Sequence, residues 1–409
     1  MTKKQKTTVA WIVVIIAFFG GFALANVQNK VPPVMDVIMA DFGIGETDAG
    51  WLTSVFTIMG MVTAIPASVL MKKLGAKKIG VIALACAAVG SALGAFTSGN
   101  LVMMMITRVI EGVGVGMIAV VGPAVISEWF PVEKRGLPMG LWGSWMMCSQ
   151  TLLFFISAGL ATNFGWQGVW WFTTIFAVIV LVLYMWKVRD PDGSEDEPNY
   201  AAGEDEGEFH FGEGFKSPST WLVTLAGLIF AFCCFAFATY ISLYWAETFY
   251  NGDMGPSNNW VALLYAIEIP MVIFIGWLLN RIKPGKRHWV GVIGFALYII
   301  VMFLCFRIDN PAFILPFVII YPFLEGIIPT VYWTLAPTTA KSPENSATAI
   351  GILNVGLNVG TLLGPPVAGF LIENYGWDVA TIPMAIMAAL GAIVFIFVKQ
   401  YKADGTLEK

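Results

Sequence analysis

Four ionisable residues stand in stretches otherwise built from apolar side chains: Arg108, Glu111, Glu268 and Glu325. A charge in hydrocarbon is costly unless it faces protein or water, so these positions are where ion- or solute-handling chemistry is expected. Arg108 and Glu111 are three residues apart and therefore neighbours on a helix, where they either neutralise one another structurally or work together. Glu268 and Glu325 have no cation nearby in the sequence, and each lies close to proline: Pro270 for the first, Pro322 and Pro329 for the second. They read either as protonated acids hydrogen-bonded between helices or as proton-exchanging groups. Both fall about 10 to 13 residues into their apolar runs, roughly 15 to 20 Å of helix and close to the middle of a bilayer.

Other chemistries are poorly supplied. There are two His and five Cys. His210 falls in a polar stretch and His288 beside a basic cluster, and the cysteines all lie in apolar runs as small packing residues. No nucleophile and base pair is evident, so the chain is not expected to be an enzyme. No metal or cofactor is expected beyond a coupling ion, taken to be the proton.

The elements that position these groups follow from composition. Of 409 residues, 57% are hydrophobic and only 12% charged, against roughly 25% charged in soluble domains, which excludes a soluble globular protein. Apolar runs near 9–29, 48–71, 78–97, 101–127, 139–162, 167–187, 219–249, 258–280, 288–306, 312–336, 346–372 and 378–399 predict twelve membrane-spanning helices. With the N-terminus in the cytoplasm, 20 of the 23 Lys and Arg fall on the cytoplasmic side, leaving Lys30, Arg307 and Arg108. That asymmetry predicts an even number of spans, both termini cytoplasmic, and a multi-pass protein of the cell membrane. The stretch from Asp190 to Glu213 carries ten acidic residues without apolar periodicity and reads as a solvated linker. The expected organisation is a six-helix half at 1–189, an acidic linker at 190–217 and a second six-helix half at 218–409.

The halves echo each other. Ser68-Val-Leu70-Met-Lys72-Lys73 before Gly75-Ala-Lys77-Lys78 parallels Gly276-Trp-Leu278-Leu-Asn280-Arg281 before Gly285-Lys286-Arg287, and Pro138-Met-Gly140 parallels Ala349-Ile-Gly351 at nearly the same offset. These residues, with Arg108-Val-Ile-Glu111-Gly112-Val-Gly114, make the whole chain resemble the major facilitator superfamily of secondary transporters. The family's motif after the second span is matched by Leu70, Lys73, Gly75, Lys77 and Lys78. Ser68 and Lys72 depart from it, and the second copy keeps Gly276 and Arg281 but has Asn280 where Asp is usual.

The resemblance implies an all-α membrane fold of two pseudo-symmetric halves that carry a small solute by alternating access about a midplane site. It further implies that Arg108 lies in the cavity and takes part in proton coupling. On spans that line the cavity in that family, polar and aromatic candidates are Asn26 and Asn29, Tyr240 and Tyr244, Tyr321, and the stripe of Gly351, Asn354, Asn358 and Thr361. The glycines of spans four and eleven are expected to allow close helix contacts. Span five lacks the Gly-Pro motif of the family's antiporters, which tilts the reading toward proton-coupled uptake. The substrate is expected to be a monovalent anion, a neutral solute or a cation, since only one basic residue is placed in the cavity and Lys30 and Arg307 are placed near its mouth. Proton-driven efflux of drugs or metabolites is the alternative within transport, and a non-transporting membrane sensor the alternative outside it. The expected partners are the solute and the lipid bilayer, with no nucleic acid, and the chain is expected to act as a monomer.

Overall fold

A computed structural model describes residues 3–130, 134–189, 216–340, 345–402 and 406–408. The acidic linker, His210, Lys341 and Lys409 lie outside these residues apart from the linker's last two positions. The described chain is helical almost throughout, because a backbone in hydrocarbon must satisfy its own hydrogen bonds. Eleven helices among the described residues are long and apolar enough to cross a membrane. Exactly twelve spans therefore remains an expectation, with the count turning on the expected second span.

That region differs from a simple run of separate helices. The segment predicted as span two is divided at Val55 into α3 (Glu46–Ser54) and the start of α4 (Phe56–Gly94). At Gly75 the backbone leaves the helix, with a φ of 80° and ψ of 157° that suit a residue without Cβ, and α4 is there divided into residues 56–74 and 76–94, where the break between spans two and three is predicted. Helix α1 (Lys3–Asn29) is followed by a short turn at Pro32–Val34 and by α2 (Met35–Phe42), which ends on left-handed Gly43. Span four is α5 (Leu101–Trp129), started by Asn100, whose side chain accepts from the Met103 N–H at 3.1 Å. The fifth predicted span is interrupted at Ser144, giving α6 (Gly136–Gly143) and α7 (Trp145–Phe164), and α8 (Gln167–Lys187) follows. The second half comprises α9 (Pro218–Phe249), α10 (Met254–Asn280), α11 (Arg287–Leu304), α12 (Ile314–Thr339), α13 (Ser346–Tyr375) and α14 (Trp377–Ile396).

The chain forms two compact units, Met1–Gly43 with Val55–Glu204, and Ile44–Ser54 with Asp205–Lys409. In the first, α1, α4, α5 and α8 share a core that includes Val13, Leu24, Ile79, Leu84, Ile118, Val125 and Tyr184. The helices α4 and α5 approach backbone to backbone: a Cβ on Gly112 would strike the Phe56 carbonyl, one on Gly114 the Ala83 carbonyl, and one on Gly116 Gly60 and Thr63. Without a hydrophobic drive between helices in lipid, such close contact of small residues is what holds them.

The second unit repeats the device. Gly356, Gly360 and Gly364 of α13 lie one turn apart and meet the carbonyls of Thr224, Leu228 and Phe232, also one turn apart on α9. Helices α11 and α14 interlock reciprocally, Phe395 filling the space over Gly291 and Phe295 that over Gly391. Helix α3 packs on α13, with Gly50 against the Pro365 carbonyl and Gly369 against that of Glu46.

Candidate functional site

In the first unit, three charges meet where α1 ends. A helix leaves its last four carbonyls without intrahelical partners. Two of these, Val27 O and Gln28 O, accept hydrogen bonds from the Arg108 guanidinium on α5, Nη1 at 2.7 Å and Nη2 at 2.8 Å. Arg108 Nη1 also lies 2.6 Å from Glu111 Oε2, as the three-residue spacing predicts, and its guanidinium faces the Phe56 ring at 5.2 Å. The other oxygen, Glu111 Oε1, is 2.6 Å from Lys30 Nζ. Lys30 also donates to Ser91 Oγ at 2.7 Å and stands 4.4 Å over the Trp170 ring. All three charged side chains are completely buried.

This corrects the expectation that Lys30 sits near a mouth and that Arg108 is the only interior cation. Lys30 is an interior group whose partners lie 61 and 81 residues away in the chain, so no local spacing betrays them. A signal was present nonetheless: Lys30 is followed by Val-Pro-Pro-Val-Met, an apolar run rather than a solvated loop. Arg307, the other cation assigned to a mouth, donates to Thr381 Oγ1 at 2.8 Å and to the Asp378 carbonyl at 2.6 Å, tying the chain just after α11 to the start of α14. Asn26 and Asn29 are buried on α1 beside Lys30; among the described residues neither amide atom of Asn26 has a hydrogen-bond partner, nor has Asn29 Nδ2.

The second unit has its own polar centre. Glu268, in the middle of α10, and Glu325, in the middle of α12, are each 4% exposed, on helices that pack together, and the two carboxyls interact electrostatically. No ion pair joins either of them among the described residues. Cys234 on α9 donates its S–H to Glu325 Oε1 at 2.9 Å. The thiol is a site residue that the sequence, with Cys234 inside an apolar run, did not disclose. Tyr321, one turn before Glu325, is fully buried and stacks on Phe237 at 4.1 Å. Tyr265, Tyr298 and Tyr332 also lie within electrostatic reach of Glu325. The two carboxyls are thus enclosed by phenols, a thiol and apolar rings.

The remaining candidates make contacts of their own. Tyr240 Oη donates to the Glu46 carbonyl at 2.5 Å and is 3.1 Å from the Pro365 carbonyl, joining α9 to α3 and α13. Tyr244 Oη donates to the Ile308 carbonyl at 2.9 Å. Asn354 and Asn358 each donate to the carbonyl one turn back on α13, and Asn354 is exposed. Near Tyr240, Glu373 accepts from both the N–H and the hydroxyl of Thr47, capping the first turn of α3 with a carboxylate from α13. Of the motif residues, Gly75 forms the break, Leu70, Lys73 and Lys78 are exposed, Lys77 is half-buried, Gly276 has open space over it and Arg281 stacks on Trp277 at 3.8 Å.

Long apolar helices joined through small-residue interfaces make this a polytopic membrane protein. The profile of the Major Facilitator Superfamily matches residues 10–343 and 338–408, and the chain belongs to that family. It is 20% identical over 424 residues to the probable sulfoacetate transporter of Cupriavidus necator, the match covering 97% of this chain and 94% of that one. An uncharacterized MFS-type transporter of Bacillus subtilis is 26% identical over 180 residues, which cover 44% of this chain and 38% of the relative. Among solved structures, a D-xylose–proton symporter superposes with a TM-score of 0.71 at 15% identity, over 97% of this chain and 99% of that one.

Proposed function

We propose that the protein imports a small organic solute together with protons, and that Glu268 and Glu325 carry the coupling proton. The observation behind this reading is the pair of buried carboxyls with no cation to hold them ionised. A proton is the smallest charge that can settle there, and its arrival changes which state of the unit is stable. The symporter of the same fold makes symport compatible with the architecture. The relative named for sulfoacetate, together with two interior cations at the end of α1, favours an organic anion as the solute. The protein acts in the cell membrane with both termini in the cytoplasm, as the distribution of Lys and Arg supports.

The test is uptake into proteoliposomes under an imposed proton gradient. Wild-type protein accumulates its solute when the outside is acid. Glu325→Gln or Glu268→Gln abolishes that accumulation while leaving exchange of labelled for unlabelled solute intact. Accumulation that persists undiminished in both variants overturns the assignment of the proton to this pair.

A further inference from the structure

Asn26 is completely buried, and neither its amide oxygen nor its amide nitrogen meets a hydrogen-bond partner among the described residues. Asn29, one turn later and 7% exposed, has an unpartnered Nδ2. A buried amide left without partners is destabilising, and native proteins leave few of them unless something else satisfies the group. Helix α7, which packs against both α1 and the Pro32–Val34 turn, carries two further fully buried and unpartnered hydroxyls, Ser149 and Ser157. Unsatisfied polar groups are thus gathered on two packed helices of the first unit.

Their chemistry is biased. The two amide nitrogens offer four N–H donors, whereas Asn26 Oδ1 is the one orphaned amide acceptor in the group. Lys30 follows Asn26 by four residues, and the Arg108 guanidinium binds the carbonyls of Val27 and Gln28 that lie between them. The local field is set by these cations with Glu111. Four amide N–H donors beside two cations and one carboxylate, a cluster of net positive charge, match a group rich in acceptors and negative in charge. We infer that the Asn26 and Asn29 amides, with the α7 hydroxyls, hold the oxyanion head of the solute, a carboxylate or sulfonate. The inference deepens the transport reading above and rests on it for calling the ligand a transported solute; binding itself does not depend on it.

The test uses full-length purified protein and four probes, gluconate, glycolate, 2-hydroxyethanesulfonate and glycerol, with binding measured by calorimetry and by the shift in melting midpoint. At least one oxyanion raises the wild-type midpoint, and glycerol does not. Asn26→Ala and Asn29→Ala each weaken that binding tenfold or more. Asn26→Leu, which removes the orphaned amide, melts without ligand at or above the wild-type midpoint. Should no oxyanion bind, or should the alanine variants bind as the wild type does, the inference falls and the amides hold only water. A drop of the unliganded midpoint in Asn26→Leu also counts against it, because it makes the amide a structural group. Glu325→Gln separates the two readings: oxyanion binding that survives there and still depends on Asn26, with accumulation uncoupled from protons in no variant, keeps the subsite and rejects the coupling pair.

Discussion

Replacing Lys30 by methionine probes the interior charge cluster most directly. At 2.6 Å from Glu111 Oε1, and with a working dielectric constant of about 20, the Coulomb attraction is about 4 to 6 kcal/mol depending on where the charges are centred. Removing one side leaves the Glu111 charge buried with part of its compensation gone, a class of change that costs about 3 to 5 kcal/mol. Arg108, 2.6 Å from the other oxygen, remains and lessens the loss, so Lys30→Met is expected to cost about 2 to 4 kcal/mol. Glu111→Met should cost as much or more, since it strands Lys30 and Arg108 together. The double variant removes both partners at once and is expected to recover about 1 to 3 kcal/mol relative to the sum of the single changes. The assay is the unfolding midpoint of the four proteins in one detergent, converted through a common denaturant slope. Additive losses within about 0.5 kcal/mol would refute the reasoning, because groups in contact in a buried network must couple.

Three further outcomes follow from the packing. Gly112→Val or Gly364→Val drives a side chain into the carbonyl of Phe56 or Phe232, and a loss of about 1 to 3 kcal/mol or more is expected as a fall in monodisperse protein on size exclusion. Gly75→Ala places a Cβ on a residue with φ of 80°, costing about 1 to 3 kcal/mol, read as a lower melting midpoint that Gly276→Ala, with open space above it, does not share. Glu373→Ala removes the carboxylate cap from α3, and amide hydrogen exchange over residues 46–54 should speed up by roughly two- to tenfold while α5 is unchanged.

The sequence made the helices legible because hydrocarbon permits so few alternatives: a run of some 20 apolar residues is a span whatever its neighbours do. Gly75 was legible as the break between spans two and three, because a glycine there can leave the helix with a positive φ. Apolar content does not reveal that the stretch predicted as one span divides at Val55 or that another is interrupted for one residue at Ser144. The intramembrane charges were found by their cost, and Arg108 with Glu111 by their spacing. Lys30 escaped because its partners come from α4 and α5, and contacts between elements distant in the chain leave no period to read. The thiol on Glu325 escaped for the same reason, being an encounter of α9 with α12.

The glycine ladder of α13 against α9 carries a consequence for how such a chain can change over time. Gly356, Gly360 and Gly364 meet main-chain carbonyls on α9, and a carbonyl is the same chemical group whatever residue bears it. The join therefore constrains three positions on one helix by what they lack, and of the residues opposite it asks chiefly that Thr224 and Ala231 stay small, since their side chains also reach Gly356 and Gly360. Side chains on every other face are released to answer to the lipid or to the solute. A bundle joined in this way can exchange much of its vocabulary while keeping its grammar.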